Sequence, residues 1–300
     1  MRWVAAAAFL WLAPAADATT PALVEPAPGL LVRQGVQEDF TPGNKGGIAN
    51  LAVVIGERSV AVIDSGGSLA DGQDLLAAIR ERTSLPVAFV IDTHLHPDHV
   101  LGNGAFAGAV VIGHARLPRG LAERGPTYLA NMQRLLGGVA KGSELVPPGL
   151  TVAAGQSMTL DLGRRPLRLQ AWPTAHTDTD LTVFDEASGT LITGDLLFVD
   201  RLPVVDGSLM GWLAVMDELA ALPSRRAVPG HGPVVVDWPA ALEPQRRYLT
   251  DLRDATRLSL KKGRSLAQAT AEIAPPAGWL LAEDNHPRNV TAAYTELEWE

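Results

Sequence analysis

Short apolar runs rich in valine, isoleucine and leucine alternate with polar or glycine-containing breaks along most of the chain. The runs at 50–57 and 59–66 are separated only by a Gly-Glu-Arg break, which predicts a hairpin of two buried strands. Residues 69–83 then place apolar side chains at helical spacing, and residues 87–92 predict another strand. The first half of the chain therefore predicts strands, then a helix, then a strand.

A similar order of elements follows in the second half. Residues 115–136 predict a mostly helical segment, and residues 137–149 predict a loop rich in glycine and proline. Further strands are predicted at 157–162, 166–172, 181–186 and 189–195, followed by a helix near 208–221 and a last apolar segment at 227–232. This repetition predicts two α/β halves packed sheet against sheet with helices outside, a four-layer αββα sandwich with a helical C-terminal tail.

The N-terminus has a different character. Arg2 precedes an apolar run over residues 3–13, and Ala-Asp-Ala at 16–18 fits a signal-peptidase site. Because the run is too short to span a bilayer comfortably, we expect a cleaved signal peptide, no membrane span after cleavage, and a periplasmic or secreted protein. The predicted divisions are a signal peptide at 1–18, a proline-rich lead-in at 19–28, one domain at 29–238 and its helical C-terminal extension at 239–300.

Composition narrows the chemistry. The chain has no cysteine, which excludes thiolate metal ligands and a cysteine nucleophile. Its net charge of -8 argues against a nucleic-acid partner, because there is no basic surplus to replace counterions on a phosphate backbone. The expected partner is therefore a small-molecule substrate, and any metal must be held by nitrogen and oxygen.

The segment IDTHLHPDHV, at 91–100, concentrates ligand-type side chains directly after a predicted strand. In an extended strand end, His94 and His96 lie two residues apart and point the same way. Pro97 forces a turn, after which Asp98 and His99 present their side chains from the next loop or helix start. Nitrogen and oxygen ligands that converge from one short segment suit a borderline metal such as zinc.

Three further residues occupy comparable positions. His176 lies in WPTAHTDTDL between two predicted strands, His231 lies in VPGHG, and Asp195 ends the predicted strand LITGD. We expect all three at the carboxyl ends of strands or in the loops beyond, where α/β proteins gather their sites. His114 and His286 have no partner motif and are expected to be structural.

The order of these motifs resembles the signature of the metallo-β-lactamase fold hydrolases over roughly residues 30–235. The motifs are, in order, H-x-H-x-D-H, a lone histidine, Gly-Asp and P-G-H-G. The resemblance implies the following ligands: His94, His96 and His176 for one zinc, Asp98, His99 and His231 for a second, and Asp195 as a bridge. It also implies that Asp64 in VIDSG, together with Thr93, supports the metal loop from behind the ligands. Two such ions would lower the pKa of a shared water to about 7, and Asp98 is the expected catalytic residue that orients the hydroxide or assists proton transfer.

The aspartate at 195 favours particular branches of this superfamily. The antibiotic-destroying members carry cysteine or serine there, whereas the sequence resembles glyoxalase II, lactonases and other branches with a bridging aspartate. We therefore expect cleavage of an ester, thioester, lactone or related bond, and do not expect β-lactams to be the main substrate. Residues 38–67 and 92–103, with the signal peptide, also resemble the exported zinc metallohydrolases of the quinoprotein relay system. This resemblance implies a periplasmic setting and functional association with a quinoprotein dehydrogenase.

Two alternatives remain open at this point. Persulfide dioxygenases share the same residue set but use a single iron held by two histidines and one aspartate, and ligand type alone does not select zinc over iron. A non-catalytic metal-binding protein is the third interpretation, although the presence of every ligand argues against it. The sequence does not name the natural substrate.

Overall fold

The computed structural model describes residues 22–300, so the predicted signal peptide and the first residues of the lead-in lie outside it. The strands are β1 (Leu23–Ala27), β2 (Leu30–Arg33), β3 (Leu51–Ile55), β4 (Val60–Ile63), β5 (Val87–Ile91), β6 (Val110–His114), β7 (Leu150–Val152), β8 (Ser157–Asp161), β9 (Pro166–Ala171), β10 (Leu181–Asp185), β11 (Thr190–Phe198), β12 (Arg226–His231) and β13 (Val236–Asp237). The helices are α1 (Leu69–Arg82), α2 (Pro97–Val100), α3 (Leu117–Leu136), α4 (Leu209–Ala220), α5 (Leu242–Lys261), α6 (Leu266–Glu272) and α7 (Ala282–Leu297). None of the helices within residues 22–300 is long and apolar enough to cross a membrane.

The strands form two sheets, one with the order β1-β2-β3-β4-β5-β6-β7 and the other with the order β13-β12-β11-β10-β9-β8. The predicted β3–β4 hairpin is antiparallel, whereas β4 to β7 run parallel, as do β11 and β12. Parallel neighbours end at the same edge of a sheet. The carboxyl end of β5 in one sheet and that of β12 in the other consequently lead into the histidine-containing segments.

Apolar side chains fill the space between the sheets. On β9, Leu167, Leu169 and Ala171 are fully buried, while the residues between them are partly exposed, which is the period of two expected for a strand with one covered face. They pack in one cluster with β2, β3 and β4 of the other sheet. Each buried leucine contributes about 2 kcal/mol to this packing. Helix α1 covers the outer face of the first sheet, and α4 and α5 cover that of the second, which confirms the four-layer αββα prediction.

The C-terminal tail is helical, as predicted, and its last helix is packed into the second half. Helix α7 buries Val290 and Ala293 in the same cluster as α4 and α5. The buried side chain of Asn289 accepts a hydrogen bond from the Val205 amide (2.9 Å) and donates one to the Pro203 carbonyl (2.7 Å). The tail therefore fixes the loop that follows β11.

The structure differs from two details of the sequence prediction. The described part of the proline-rich lead-in contributes strand β1, which pairs with β2 at the edge of its sheet, where Pro26 is tolerated. Asp195 does not end its strand, since β11 continues to Phe198. The pairing of β11 with β12 shifts register around Gly194, which has a φ of +52°, and the sequence pattern alone does not reveal such a bulge.

Candidate metal centre

The structure brings all seven predicted ligands together where the two sheets meet. His94 and His96 follow β5, Asp98 and His99 lie on α2, His176 follows β9, Asp195 lies on β11 and His231 ends β12. Six of these side chains are buried, and His96 is partly exposed. Their donor atoms form two groups, and within each group all donor atoms lie within 4.8 Å of one another. One group is His94, His96, His176 and Asp195, and the other is Asp98, His99 and His231.

The carboxylate of Asp195 lies between the two groups. Its Oδ2 is 3.4 Å from His176 Nε2 and 3.6 Å from His94 Nε2. Its Oδ1 is 3.2 Å from His99 Nε2 and 3.4 Å from His231 Nε2. Each oxygen therefore faces one group, which is the arrangement that a carboxylate shared by two ions requires.

Two glycines allow this position of Asp195. Gly194 adopts a left-handed conformation, and a Cβ at that residue would lie 2.5 Å from Thr93 Oγ1. A Cβ on Gly230, in the neighbouring strand, would overlap Oδ1 of Asp195. Because any larger residue would displace the carboxylate or the histidine segment, the Gly-Asp and P-G-H-G motifs act together through space.

Every histidine ring of the centre is anchored through its outer nitrogen. The outer contacts are His94 Nδ1 with Thr93 Oγ1 (3.1 Å), His96 Nε2 with Asp206 Oδ2 (2.8 Å), His99 Nδ1 with Asp64 Oδ2 (2.8 Å), His176 Nδ1 with the Val204 carbonyl (2.7 Å) and His231 Nδ1 with the Ile48 carbonyl (3.0 Å). Oriented rings of this kind are typical of metal-binding histidines.

Some of the inner atoms of the centre have no hydrogen-bond partner. Nε2 of His94, Nε2 of His99 and Oδ1 of Asp195 are buried and unpartnered within the described residues 22–300. Leaving buried polar atoms unsatisfied is costly unless something binds them. A nitrogen and oxygen donor set with these orphaned atoms fits divalent metal ions.

Asp64 and Thr93 lie directly behind the ligands. Asp64 follows β4 in a left-handed conformation (φ +60°) and is 2% exposed. Its Oδ1 accepts a hydrogen bond from the Thr93 amide and its Oδ2 from the Thr93 hydroxyl, both at 2.8 Å. Since Oδ2 also contacts the His99 ring, one carboxylate ties the end of β4 to both parts of the histidine motif.

Charges within the centre shift its pKa values strongly. Burial alone would raise the pKa of Asp98 and of Asp195, but the surrounding histidines outweigh it and hold both values below the ordinary range. Burial lowers the pKa of His94 and brings that of His176 to about 4, so these rings stay neutral at pH 7. Burial also opposes charge on His99, yet the nearby carboxylates raise its pKa well above the ordinary value, so protons and metal compete for its Nε2.

The carboxylate of Asp206 makes a contact in the centre that the sequence did not predict. Its Oδ2 contacts His96 Nε2 and accepts a hydrogen bond from Arg124. Burial opposes its charge, but the contact with His96 and the charge of Arg124 lower its pKa to about 2. A lone Asp-Gly in a loop predicts only a turn, so no sequence signal marked this residue.

The two remaining histidines lie outside both donor groups. His114 accepts a hydrogen bond from the Arg116 amide, and His286 contacts the Tyr248 hydroxyl (3.1 Å) and the Ile273 carbonyl (3.1 Å). Neither belongs to a cluster of candidate metal ligands among residues 22–300.

A cavity of about 310 Å³ opens onto the centre. Phe40, Ile48 and Phe198 provide apolar walls, and Leu281 and Asn285 bring the C-terminal tail to its rim. A larger cavity of about 630 Å³ lies beside α5 and contains none of the seven predicted ligands. The smaller cavity is therefore the one in which a small molecule can meet the donor groups.

The family can now be assigned. Residues 45–231 match the family model described as the Metallo-beta-lactamase superfamily. The chain belongs to this superfamily. The alkylsulfatase and metallo-β-lactamase members are metal-dependent hydrolases, which agrees with the class of enzyme predicted from the sequence.

Individual relatives share the fold at low identity. A linear primary-alkylsulfatase of Pseudomonas sp. (strain ATCC 19151) is 27% identical over 122 residues, which are 40% of this chain and 21% of that protein. The stereoselective inverting sec-alkylsulfatase Pisa1 from Pseudomonas sp. superimposes with a TM-score of 0.71 and 16% identity over 92% of this chain and 50% of the sulfatase. A metallo-beta-lactamase from Pontibacter korlensis gives a TM-score of 0.62 and 18% identity over 76% of this chain and 98% of the lactamase.

The share of this chain that each match covers indicates whether the C-terminal tail must be part of the match. A match over 92% of the chain must include most of the tail at 239–300, whereas a match over 76% need not include it. At these identities the solved structures show the fold alone. The chain spans half the length of the sulfatase structure and about a fifth of the curated relative.

Proposed function

We propose that this protein is a dinuclear zinc hydrolase that cleaves an ester, thioester, lactone or related bond. The observation that carries the proposal is the position of Asp195, whose two oxygens each face one group of anchored histidines. In the proposed assignment His94, His96 and His176 hold one ion, Asp98, His99 and His231 hold the other, and Asp195 bridges them.

When bound, the ions supply an activated hydroxide and polarise the bond to be cleaved. The chain's own contribution is to hold and move protons beside that position. Asp98 lines the cavity with its Oδ2 3.3 Å from His231 Nε2. Because its pKa is held below the ordinary range, Asp98 is ionised at neutral pH, and its carboxylate can accept a hydrogen bond that orients the nucleophile. Phe198, stacked on His231 at 5.0 Å between ring centroids, keeps water from one side of the centre.

Among these substrates, alkyl sulfate esters have specific support. The curated relative is named a linear primary-alkylsulfatase, and the sulfatase structure covers 92% of the chain, which includes most of the tail. In this chain the tail contributes Leu281 and Asn285 to the cavity rim. We also propose export to the periplasm and association with a quinoprotein dehydrogenase; the support is the predicted signal peptide and the resemblance of residues 38–67 and 92–103.

The test is hydrolysis of a panel of alkyl sulfates, carboxylic esters, thioesters, lactones and β-lactams by the zinc-loaded protein. We expect turnover of at least one ester class, and a loss of about 100-fold or more in His96→Ala because one ion loses a ligand. His114→Gln is the matched control, since His114 is buried outside the donor groups. Equal turnover in wild type and His96→Ala, with both proteins folded by circular dichroism, would overturn the assignment.

A further inference from the structure

Two buried side chains that line the cavity beside the metal centre, Arg201 and Asn285, each carry a nitrogen donor with no hydrogen-bond partner within residues 22–300. Arg201 is 8% exposed, and among residues 22–300 its side chain has one hydrogen-bond partner, the Glu38 carbonyl, which accepts from Nη1 at 3.2 Å. Its Nε has no partner, and no carboxylate within residues 22–300 forms an ion pair with it. Asn285 is 6% exposed, and its Nδ2 is also unpartnered within the described chain. Both residues line the cavity that contains the predicted metal ligands.

Backbone pairing between distant segments holds the two donors in the same cavity. Leu280 donates to the Asp200 carbonyl at 2.8 Å, and the Leu202 amide donates to the Leu280 carbonyl at 2.9 Å. This pairing joins the segment after β11, which carries Arg201, to the start of α7, which carries Asn285. The positions of both side chains are therefore set by the fold and not by a loose surface loop.

The charges around Arg201 make an anion the fitting occupant. A buried arginine without a counter-charge is costly, and the cost is recovered when an anion pairs with it. Two divalent ions against the carboxylates of Asp98 and Asp195 would leave the centre positive as well, so the metals cannot balance the guanidinium. The rim carries Asp39 and Asp284, but both are exposed to solvent and neither pairs with Arg201.

We propose that Arg201 and Asn285 bind an oxyanion group of the substrate, so that the enzyme selects anionic over neutral esters. The guanidinium supplies charge and paired N–H donors, and the Asn285 amide supplies a further donor. A sulfate or a carboxylate satisfies both, while Phe40 and Leu281 face the carbon skeleton. That the bound anion is a substrate rests on the proposed function, whereas the anion-binding site does not.

The test is isothermal titration calorimetry with three uncleavable probes of similar shape: hexane-1-sulfonate, heptanoate and hexyl methyl sulfone. Both the zinc-loaded and the chelator-treated full chain are titrated. We expect Arg201→Gln to weaken binding of the preferred anion about tenfold or more in both metal states, with binding of the neutral sulfone unchanged. Asn285→Ala should weaken the same anion a few-fold. Tighter binding of sulfonate than of heptanoate identifies a sulfate group, and the reverse order identifies a carboxylate.

Arg164→Gln is the matched control, because Arg164 is an exposed arginine at a turn and pairs with Glu57. A structural role for Arg201 would lower the melting temperature on substitution, whereas removal of an unpaired buried charge should leave it unchanged or raise it. Unchanged anion affinity in Arg201→Gln, or an equal loss for the anions and the sulfone, would overturn the proposal. If no ester is hydrolysed but anion binding depends on Arg201, the binding site stands and the proposed reaction fails.

Discussion

Asp206 offers a direct test of how the protein holds its metal ligands. Asp206→Asn keeps the size of the side chain but removes the charge that faces His96 Nε2 at 2.8 Å. The carboxylate orients this ring so that Nδ1 points inward, where it lies 3.1 Å from His176 Nε2. We expect the variant to bind one of its two zinc ions more weakly, because a neutral amide orients and polarises the ring less effectively.

The size of the effect follows from the contact. A hydrogen bond to a charged group contributes about 1.5–3 kcal/mol, and loss of such a supporting carboxylate costs about 10- to 100-fold in metal affinity. The Asp206 side chain is 30% exposed, so solvent screens part of this interaction. We therefore expect a loss near the lower end, about 10- to 30-fold, which corresponds to about 1.4–2 kcal/mol.

The assay is zinc competition against a chromophoric chelator, with Asp217→Asn as the control. Asp217 also pairs with an arginine, Arg246, but its side chain is 74% exposed on the outside of α4. The control should bind zinc like the wild type. Equal affinity in Asp206→Asn and wild type, or the same loss in both variants, would refute the reasoning that Asp206 supports a metal ligand.

Two other substitutions test separate parts of the account. Gly230→Ala should reduce zinc content by displacing Asp195, whereas Gly138→Ala, which meets no atom within 4 Å, should not; elemental analysis of both proteins decides between these outcomes. Burial lowers the pKa of the His286 ring from 6.5. The neutral ring therefore contributes to stability above pH 6.5, and this contribution declines as the pH falls from 6.5 through the lowered pKa of the folded protein. The free energy of unfolding of the chelator-treated protein, measured by chemical denaturation, should fall less steeply with decreasing pH in His286→Gln than in wild type, by up to about 1.4 kcal/mol per pH unit. Parallel pH dependences of the two proteins would contradict the prediction.

The sequence predicted the elements that carry strong local patterns. Residues 69–83 have helical spacing, and the structure forms α1 there. A strand is predicted at 166–172, and the structure forms β9 there. The histidine motif marks the centre because its members are close in sequence, and the family pattern supplies His176 and His231, which join them only in the folded chain.

Features that depend on contacts between distant segments were not predictable. Asp206 reaches His96 across 110 positions, and nothing in its own neighbourhood distinguishes it from a turn residue. The bulge at Gly194 becomes visible only when β11 is aligned with β12. Likewise, the role of the tail follows from Asn289 and Asn285, whose partners and cavity belong to other parts of the fold.

The most direct test of the central claim is the metal content of the protein purified without added metal, measured by elemental mass spectrometry. The account predicts about two zinc ions per chain, since the two donor groups share Asp195. About one iron per chain, together with oxygen consumption in the presence of a persulfide, would contradict the hydrolase proposal and favour a dioxygenase. Absence of bound metal even after incubation with zinc would contradict the metal centre itself.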